Sequence, residues 1–366
     1  MLGLENKEIN QFPTPQDDLF KGEYKILKGK NFSYLINEKN DEIGKGAYGK
    51  VFKAKRIKDK IVVAMKKSQI ENNSYNLVFP DSTLKEISIL FYLKNHKNIV
   101  NLYDVVIPNL DKEINSTYMV MEYCETDLEK LIYNQYKSGI PNELIEDLLY
   151  QLLCGITYCH TKGIMHCDLK PQNILLKKND KNMYDLKIAD FGISRRIIQP
   201  ERKHSTEIVT LFYRAPELML GLEFDFSIDI WSTGCIFAEM ALGYTLFKGS
   251  YENLYDAFLR IVQIIGIPTE NSWPELFQEC NNINYLKEKF NDLPKLDPGP
   301  LSNINNILSK DGVLLLKKML TLNPYKRIHS LEALESPYFK YINKSDNESL
   351  SYKNSIITGK FISPTI

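Results

Sequence analysis

The stretch IMHCDLKPQNILL (164–176), followed after a short polar gap by LKIADFG (186–192), decides how the rest of the chain is interpreted. Its two acids occupy different local settings. Asp168 lies in a Pro-containing loop, whereas Asp190 ends an apolar run and precedes a Phe–Gly turn. One acid could serve as a base for a hydroxyl, and Asn173 with Asp190 supplies the hard oxygen ligands that Mg²⁺ prefers. The pattern predicts a reaction site that uses magnesium.

A glycine-rich segment, GKGAYGKV (44–51), lies far upstream of this stretch. Alternating apolar and polar residues follow it, then a turn at 59–60 and a strand pattern, IVVAMKK (61–67). Dinucleotide-binding folds also use spaced glycines, but there a helix follows them. The hairpin pattern seen here favours a flexible flap over ATP phosphates, with Lys66 reaching the α- and β-phosphates.

A helix is predicted in FPDSTLKEISILFYL (79–93). A lysine held near phosphate needs an acidic partner to fix its ammonium group, and Glu86, near the start of this helix, is the best candidate. The alternative is that Glu86 is an exposed acid favoured by the helix dipole. The apolar face of this helix is assigned to Ile87, Leu90, Phe91 and Leu93.

Two later helices are predicted from their hydrophobic patterns. ELIEDLLYQLLCGITYCHTKG (143–163) repeats leucine or isoleucine every four residues after Pro141, which is typical of an amphipathic helix. DFSIDIWSTGCIFAEMALG (225–243) is apolar on nearly all sides, which is typical of a buried helix.

Composition limits the classes of partner and compartment. The 366 residues carry a formal net charge of zero, so neither nucleic acid nor an anionic membrane is expected as the main partner. The six cysteines show no metal-binding spacing and are interpreted as free thiols in a reducing compartment. The N-terminus lacks the apolar region of a signal peptide, and no apolar run is long enough to span a membrane. We expect a cytoplasmic or nuclear protein.

Taken in order along the chain, these motifs resemble those of eukaryotic protein kinases. The segments VTLFYRAPEL (209–218) and GIPTENSWPEL (266–276) are similar to the CMGC group, which contains cyclin-dependent and mitogen-activated kinases. PDSTLKE (80–86) resembles the cyclin-binding helix of the cyclin-dependent branch, and Lys170 in DLKPQN is typical of serine/threonine kinases.

The resemblance implies an α+β fold with two lobes, a small β-rich N-lobe and a larger helical C-lobe. The expected organisation is a flexible N-terminal extension at 1–32, a protein kinase domain at 33–340 and a polar C-terminal tail at 341–366. The N-lobe is expected at 33–123 and the C-lobe at 124–340.

The resemblance also implies roles for individual residues. Asp168 would accept the substrate proton, Lys170 would steady the γ-phosphate, and Asn173 with Asp190 would bind Mg²⁺. Four residues are expected to be structural: His166, Glu217, Asp229 and Arg327. The residues expected around ATP are Ile43, Gly44, Gly46, Gly49, Val51, Ala64, Lys66, Met121, Glu122, Cys124, Asp127 and Leu175.

The activation segment departs from the family pattern. Ser205 occupies the usual phosphorylation site, with Thr206 beside it and Thr210 further along the segment. The family usually has an arginine directly before the catalytic aspartate, and this chain has Cys167 there. Because two basic residues normally join that cation in gripping the phosphate, we hypothesise that phosphorylation matters less here.

Three functions are compatible with these residues. The first is a proline-directed serine/threonine kinase that acts on protein substrates and needs a cyclin-type subunit. The second is a partner-independent kinase of the mitogen-activated type, although the sequence at 205–207 lacks the TxY motif usual in that branch. The third is a catalytically weak scaffold, which the presence of Lys66, Asp168 and Asp190 argues against.

Overall fold

The structure is a computed structural model, and it describes residues 24–46, 49–69, 71–73, 76–78, 80–108, 116–196, 211–294 and 299–342. The described residues form two compact units. One contains residues 24–87 and 101–123, and the other contains residues 88–100 and 124–342. Within the described ranges, no helix combines the length and apolar character needed to cross a membrane.

The described residues up to 123 are mainly in β-strands. An antiparallel sheet has the strand order β1-β2-β4-β5-β9-β8, β3 pairs with β4, and β6 and β7 form a separate hairpin. The elements are β1 (Lys25–Lys28), β2 (Ser33–Ile36), β3 (Glu42–Gly46), β4 (Gly49–Arg56), β5 (Val62–Gln69), β6 (Glu71–Asn73), β7 (Asn76–Val78), α1 (Asp81–Tyr92), β8 (Leu102–Val106) and β9 (Ser116–Glu122).

One face of this sheet carries a hydrophobic core. The hairpin of β1 and β2 supplies part of it, and β4, β5, β8 and β9 supply the rest. Tyr34 on β2 also donates a hydrogen bond to Asp104 Oδ2 on β8 over 3.1 Å, which ties the hairpin to the sheet. The core side chains are Leu27, Tyr34, Ile36, Phe52, Ala54, Val63, Met65, Val106, Tyr118 and Val120.

The sequence placed residues 1–32 in an extension without a core of its own, but β1 lies within that range. It pairs with β2 and buries Leu27, which is 2% exposed. A turn around Asn37 separates β2 from β3. The Asn37 side chain accepts hydrogen bonds from two following backbone N–H groups, a local competitor of the strand ladder.

The described residues from 124 onward are mainly helical. Its strands form a three-stranded sheet, β10-β12-β13, and a two-stranded pair, β11-β14. The strands are β10 (Thr126–Asp127), β11 (Ile164–Met165), β12 (Ile174–Lys178), β13 (Tyr184–Ile188) and β14 (Arg195–Arg196). The helices are α2 (Leu128–Lys130), α3 (Asn142–Thr161), α4 (Pro216–Leu220), α5 (Ser227–Leu242), α6 (Leu254–Ile265), α7 (Pro274–Glu279), α8 (Ile283–Asp292), α9 (Pro300–Ile307), α10 (Lys310–Met319) and α11 (Ser330–Leu334).

Helix α5 is the centre of this unit. Every residue in it except Ser232 is buried, as its apolar sequence predicted. Gly234 permits a close approach to the residues that end α10, because an added Cβ would lie 2.9 Å from Leu320 Cδ2. Helix α3 packs against α5 and begins directly after Pro141, as its periodicity also predicted.

The apolar face assigned to α1 was partly wrong. Leu90 and Leu93 are buried as expected, but Phe91 is 65% exposed. Ile87, also assigned to that face, is only partly buried. The buried side of the helix is completed by Ile89 and by Thr83 and Glu86, two polar residues that a hydrophobic pattern cannot identify. The α+β class with a β-rich part and a larger helical part is confirmed.

Candidate active site

Lys66 and Glu86 form a buried ion pair. Lys66 lies on β5 and Glu86 on α1, and the distance from Lys66 Nζ to Glu86 Oε2 is 2.7 Å. The two residues are 8% and 2% exposed. The pairing predicted from the sequence is therefore present, and the alternative of an exposed Glu86 is wrong. Both groups are largely shielded from solvent, so the contact holds the ammonium more firmly than a surface pair would.

Strand register places four of the predicted ATP-contacting residues on one face of the sheet. Val51 is directly opposite Lys66, and Ala64 is directly opposite Met121, so these side chains share a face. The hydrophobic core of the N-terminal hairpin occupies the other face. Glu122 is opposite Val63 and so lies on the core side, which leaves only its backbone available to a nucleotide.

The predicted hairpin with its turn at 59–60 is formed by β4 and β5, and the glycine segment itself lies on the paired strands β3 and β4. Gly46 is the partner of Gly49, and Gly44 follows a local irregularity in the pairing. Gly49 has a φ of 147°, and an added Cβ would lie 2.1 Å from Lys67 O, so only glycine fits. Ile43 is 39% exposed. The positions between β3 and β4, at 47–48, lie outside the described residues.

The catalytic-loop candidates cluster tightly in the helical unit. Lys170 Nζ lies 2.6 Å from Asp168 Oδ2, and Asn173 Nδ2 donates to the same oxygen over 3.1 Å. Asn173 Nδ2 also donates to the backbone carbonyl of Asp168 over 2.8 Å. Two donors thus hold one carboxylate oxygen, and among the described residues the other oxygen, Oδ1, is left as an acceptor.

His166 connects this cluster to the segment that carries Asp190. Its Nδ1 accepts from the backbone N–H of Asp168 over 3.2 Å, and its Nε2 lies 3.0 Å from the carbonyl of Ala189. This pattern assigns the neutral tautomer with the proton on Nε2. Its ring also packs edge-on against Phe191, which is fully buried. With both ring nitrogens engaged, His166 acts here as a scaffold.

Asp229, at the start of α5, holds the backbone of the same loop. Its two oxygens accept from the N–H groups of His166 and Cys167 over 2.8 and 2.9 Å, and His160 Nε2 lies 3.0 Å away. Burial alone would raise the pKa of Asp229, but the hydrogen bond and charge of His160, with the His166 contacts, lower it below its usual value. Cys167 is held in a left-handed conformation, φ 67°.

Glu217 and Arg327, both expected to be structural, form a fully buried ion pair. Its two nitrogen–oxygen distances are 2.6 and 2.9 Å, in a bidentate geometry. Arg327 also donates to the backbone carbonyl of Ser227 over 2.9 Å, at the first residue of α5. This pair therefore fixes the start of α4 relative to α5.

The remaining predicted ATP contacts are distributed along β10 and β12. Asp127 pairs with Leu175 in the strand register, and Cys124 precedes β10. Asp127 also caps α2, because its Oδ1 accepts from the N–H of Lys130 over 2.8 Å, and its Oδ2 lies 2.8 Å from Lys130 Nζ. A ribose contact at Asp127 would therefore compete with an exposed lysine.

The donor set suits a magnesium ion that arrives with a nucleotide. Because the nitrogen of Asn173 is committed to Asp168, its Oδ1 is the end available as a ligand. Asp190, at φ 65° after β13, supplies a carboxylate. Among the described residues, no group of three or more His, Cys, Asp and Glu side chains forms a metal cage. One carboxylate plus substrate phosphates is a usual coordination for Mg²⁺.

Two residues that support the catalytic loop, His160 and Ser194, were not predicted from the sequence. His160 contacts Asp229, and Ser194 Oγ donates to the carbonyl of His166 over 3.0 Å. The signal for His160 was available, since an acid in an apolar helix needs a polar partner. Ser194 carries no such signal. The activation-segment residues predicted from the sequence, Ser205, Thr206 and Thr210, lie outside the described residues.

Comparison with known proteins assigns the family. The family model of the protein kinase domain matches residues 37–339. The chain belongs to the protein kinase family. Among curated proteins, this kinase is 37% identical to "Cyclin-dependent kinase B2-1" of Oryza sativa subsp. japonica, over 84% of its length and 91% of the relative's. It is 40% identical to "Cyclin-dependent kinase B1-1" of Arabidopsis thaliana, over 84% of this chain and 98% of that protein.

These similarities confirm several predictions. This kinase is a cyclin-dependent kinase-like member of the CMGC group and a serine/threonine protein kinase with the bilobal fold of its family. Protein kinases as a family use ATP and Mg²⁺.

Proposed function

We propose that this kinase phosphorylates serine or threonine residues followed by proline in protein substrates, and that a cyclin-type subunit activates it. The observation that carries the catalytic part is the cluster of Asp168, Lys170 and Asn173. One oxygen of Asp168 is held by two donors within 3.1 Å, and the loop backbone beneath it is fixed by Asp229. Such a fixed carboxylate can orient a substrate hydroxyl.

Asp168 is the group that receives the substrate proton. Lys170 and Asn173 occupy its Oδ2, so a serine or threonine hydroxyl would meet Oδ1. Lys170 is in addition placed to steady the phosphate that is transferred.

When bound, ATP supplies the transferred phosphoryl group and Mg²⁺ neutralises the charge on its phosphates. Asn173 and Asp190 would hold the ion. Lys66, fixed by Glu86, would position the α- and β-phosphates, and the backbone N–H groups of 44–49 would cover them. The face that carries Val51, Ala64 and Met121 would receive the adenine.

Helix α1 supports the proposal of a cyclin-type partner. Leu84 and Phe91 are seven residues apart on this helix and are 49% and 65% exposed, and Tyr92 is 48% exposed. Large apolar side chains on one helix that also carries Glu86 suit a protein partner whose binding would bear on the Lys66–Glu86 pair. The curated relatives named as cyclin-dependent kinases point to the same class of partner.

Specificity for proline rests on the resemblance of 209–217 to the CMGC pattern, in which Val209, Thr210 and Arg214 would shape the pocket for the residue after the phosphorylated one. Val209 and Thr210 lie outside the described residues.

The test is ATP-dependent labelling of matched Ser-Pro and Ser-Ala peptides by the full chain, alone and with candidate cyclins. We expect labelling of the Ser-Pro peptide that rises at least tenfold with one cyclin. Asp168→Asn should abolish labelling, whereas Asp180→Asn, at an exposed site in the β12–β13 turn, should not. Equal labelling of both peptides would contradict proline direction.

A partner-independent kinase is the second candidate, because the Lys66–Glu86 pair is already made within the single chain. Full activity of the purified chain, unchanged by any cyclin, would favour this candidate and exclude the first.

A further inference from the structure

The first turns of α3 carry two acids that have no role in the site described above. Glu143 and Glu146 are three positions apart, so they lie on the same face of this helix. Glu143 is exposed and Glu146 is half-buried. In the part of the chain that the structure describes, neither carboxylate forms an ion pair. Two like charges therefore lie side by side without a cation between them.

A buried tyrosine lies beside these acids. Tyr338 is 6% exposed, and among the described residues its hydroxyl has no hydrogen-bond partner. The Oε1 atom of Glu146 is also shielded from solvent and lacks a partner in the described ranges. Burial raises the pKa of Tyr338, and the negative charges of Glu146 and Glu143 raise it further. The hydroxyl is thus directed towards the two acids.

Packing holds the Tyr338 ring in this position. Its centroid lies 5.4 Å from that of Phe237 in α5 and 5.2 Å from that of Phe339. Phe339 in turn lies 5.4 Å from Tyr150 in α3, in an edge-on contact. In the first turn of α10, a Cβ added to Gly312 would lie 2.8 Å from Tyr338 Cε2. With α3, α5 and α10 around it, the ring cannot turn its hydroxyl towards another partner.

The arrangement costs stability as it stands. A buried hydroxyl without a partner is unfavourable, and phenylalanine would fill the same space without that cost. Burial raises the pKa of Glu146, the charge of Glu143 raises it further, and Lys340 offsets this only in part. Lys340 Nζ lies 3.7 Å from Asp311 Oδ2, at an exposed position. A further cation placed between the acids would remove the repulsion between them.

The chemistry of the three groups selects the kind of cation. Two carboxylates and a phenol oxygen are all acceptors, and the head groups of lysine and arginine carry several N–H donors. Attraction between opposite charges is also stronger at a half-buried carboxylate than at an exposed one. A divalent metal ion fits less well, because no group of three or more His, Cys, Asp and Glu side chains in the described ranges could hold it.

We propose that Glu143, Glu146 and Tyr338 form a docking site for a basic side chain, lysine or arginine, of a partner protein. Complementary charge determines the class of the partner segment, and the directed hydroxyl distinguishes this position from an ordinary pair of surface acids. None of the three residues belongs to the candidate active site. The inference is therefore independent of the function proposed above.

The test measures the binding of a fluorescent peptide, Gly-Lys-Gly-Lys-Gly with blocked ends, to the full chain by anisotropy. A second probe has both lysines acetylated, which removes their charge. We expect saturable binding of the lysine probe and roughly tenfold weaker binding of the acetylated one. Glu146→Gln should weaken binding of the lysine probe roughly five- to tenfold, and Tyr338→Phe roughly threefold.

Glu288→Gln is the matched control, because it removes one negative charge at an exposed position of α8. It should leave the affinity unchanged, whereas unspecific attraction to a less negative protein would fall equally in Glu146→Gln and Glu288→Gln. Tyr338→Phe should melt at or above the wild-type temperature, since it removes a hydroxyl without a partner, so its weaker binding would not reflect unfolding. Equal affinities in Glu146→Gln and Glu288→Gln, or no binding by the wild type, would overturn the inference. Neither result depends on whether the chain labels a peptide.

Discussion

Helix α5 carries two buried acids ten positions apart in the chain, Asp229 and Glu239, and their surroundings differ in kind. Asp229 accepts from two backbone N–H groups of the catalytic loop and contacts His160, and its pKa is lowered. Glu239 accepts from two neutral phenols, and its pKa is raised. Both are fully buried, so burial does not account for the difference.

The comparison shows that the nature of the donors decides which form of a buried acid is stable. Backbone N–H groups and an imidazole stabilise a carboxylate, and here they outweigh the burial cost. Phenol hydroxyls stabilise a carboxylate less strongly, so at Glu239 the effect of burial is larger and the pKa of this acid is raised. The negative charge of Asp229 is needed to hold the catalytic loop, whereas Glu239 needs only its acceptor oxygens.

Removal of the charge at Asp229 should therefore have the largest effect. In Asp229→Asn, the new amide N–H₂ would face a backbone N–H of the catalytic loop, leaving a buried donor unpaired. We expect the free energy of unfolding to fall by about 3–5 kcal/mol and kcat to fall roughly 10- to 100-fold. Urea denaturation and peptide labelling at saturating ATP measure the two effects.

The matched substitution at the other acid is the control. Glu239→Gln should lower stability by about 1 kcal/mol or less and leave kcat at the wild-type level. Equal losses of kcat in both variants would show that the two acids do not differ in the way their donors indicate.

Arg327 is a third contact that holds α5 in place. It donates to the carbonyl of Ser227 in α5 and forms an ion pair with Glu217. Arg327→Met leaves Glu217 buried without its cation, so we expect a loss of about 3–5 kcal/mol in the free energy of unfolding. Joint replacement by Arg327→Met with Glu217→Leu should recover part of that loss, because no unpaired charge remains. A double variant less stable than Arg327→Met alone would contradict this.

The residues of the buried ion pairs were predicted from the sequence, whereas Glu239, which accepts hydrogen bonds from two tyrosines, was not. Glu86 was identified as the partner of Lys66, and Glu217, Asp229 and Arg327 were identified as structural residues, because each matches a family motif at a fixed position. Glu239 was missed, since its partners, Tyr133 and Tyr213, are ordinary tyrosines far apart in the chain. Only folding brings their hydroxyls to one carboxylate.

Two features of the fold show the same limit. Strand β1 lies in a polar, lysine-rich stretch with a single buried leucine, Leu27, so its local pattern is too weak to indicate a strand. In α1, hydrophobicity suggested a buried Phe91, but the helix uses polar Glu86 on its buried side because Lys66 needs it. Periodicity reports how apolar a side chain is, and tertiary pairing decides where it faces.

The pH dependence of stability should separate the two acids of α5 by sign. Glu239 has a raised pKa in the folded protein, so above its usual value of 4.5 the folded chain binds more protons than the unfolded one. Its contribution is complete below about 4.5 and is lost as the pH rises through the folded pKa. The difference in unfolding free energy, wild type minus Glu239→Gln, should therefore fall with rising pH and then level off.

Asp229 should show the opposite dependence. Its folded pKa lies below the usual 3.8, so its contribution is present above that value and is lost as the pH falls. Urea titrations of wild type, Glu239→Gln and Asp229→Asn between pH 3 and pH 8 measure both differences. The same sign for both acids would contradict the assignment.

The smallest effect is expected at the activation segment. The resemblance to protein kinases implies three positions whose cations would grip a phosphate on this segment, and in this chain those positions are Lys85, Cys167 and Arg195. Cys167 carries no charge, because burial removes its sulfur from water and raises the pKa of the thiol well above its usual value. The Arg195 guanidinium lies 5.8 Å from the ring centroid of Phe224, which occupies a face of that group. A phosphate on Ser205 or Thr206 would therefore find weak support.

The loops that such a phosphate would organise are instead held from within by α5, through Asp229 on one side and Glu239 on the other. We expect the joint variant Ser205→Ala with Thr206→Ala to keep activity within about twofold of wild type, less than 0.5 kcal/mol in the activation barrier. Cys167→Arg restores the missing cation, so in that background the same two alanines should lower activity. A thousandfold loss in the native background would show that the phosphate, and not the buried helix, positions these loops.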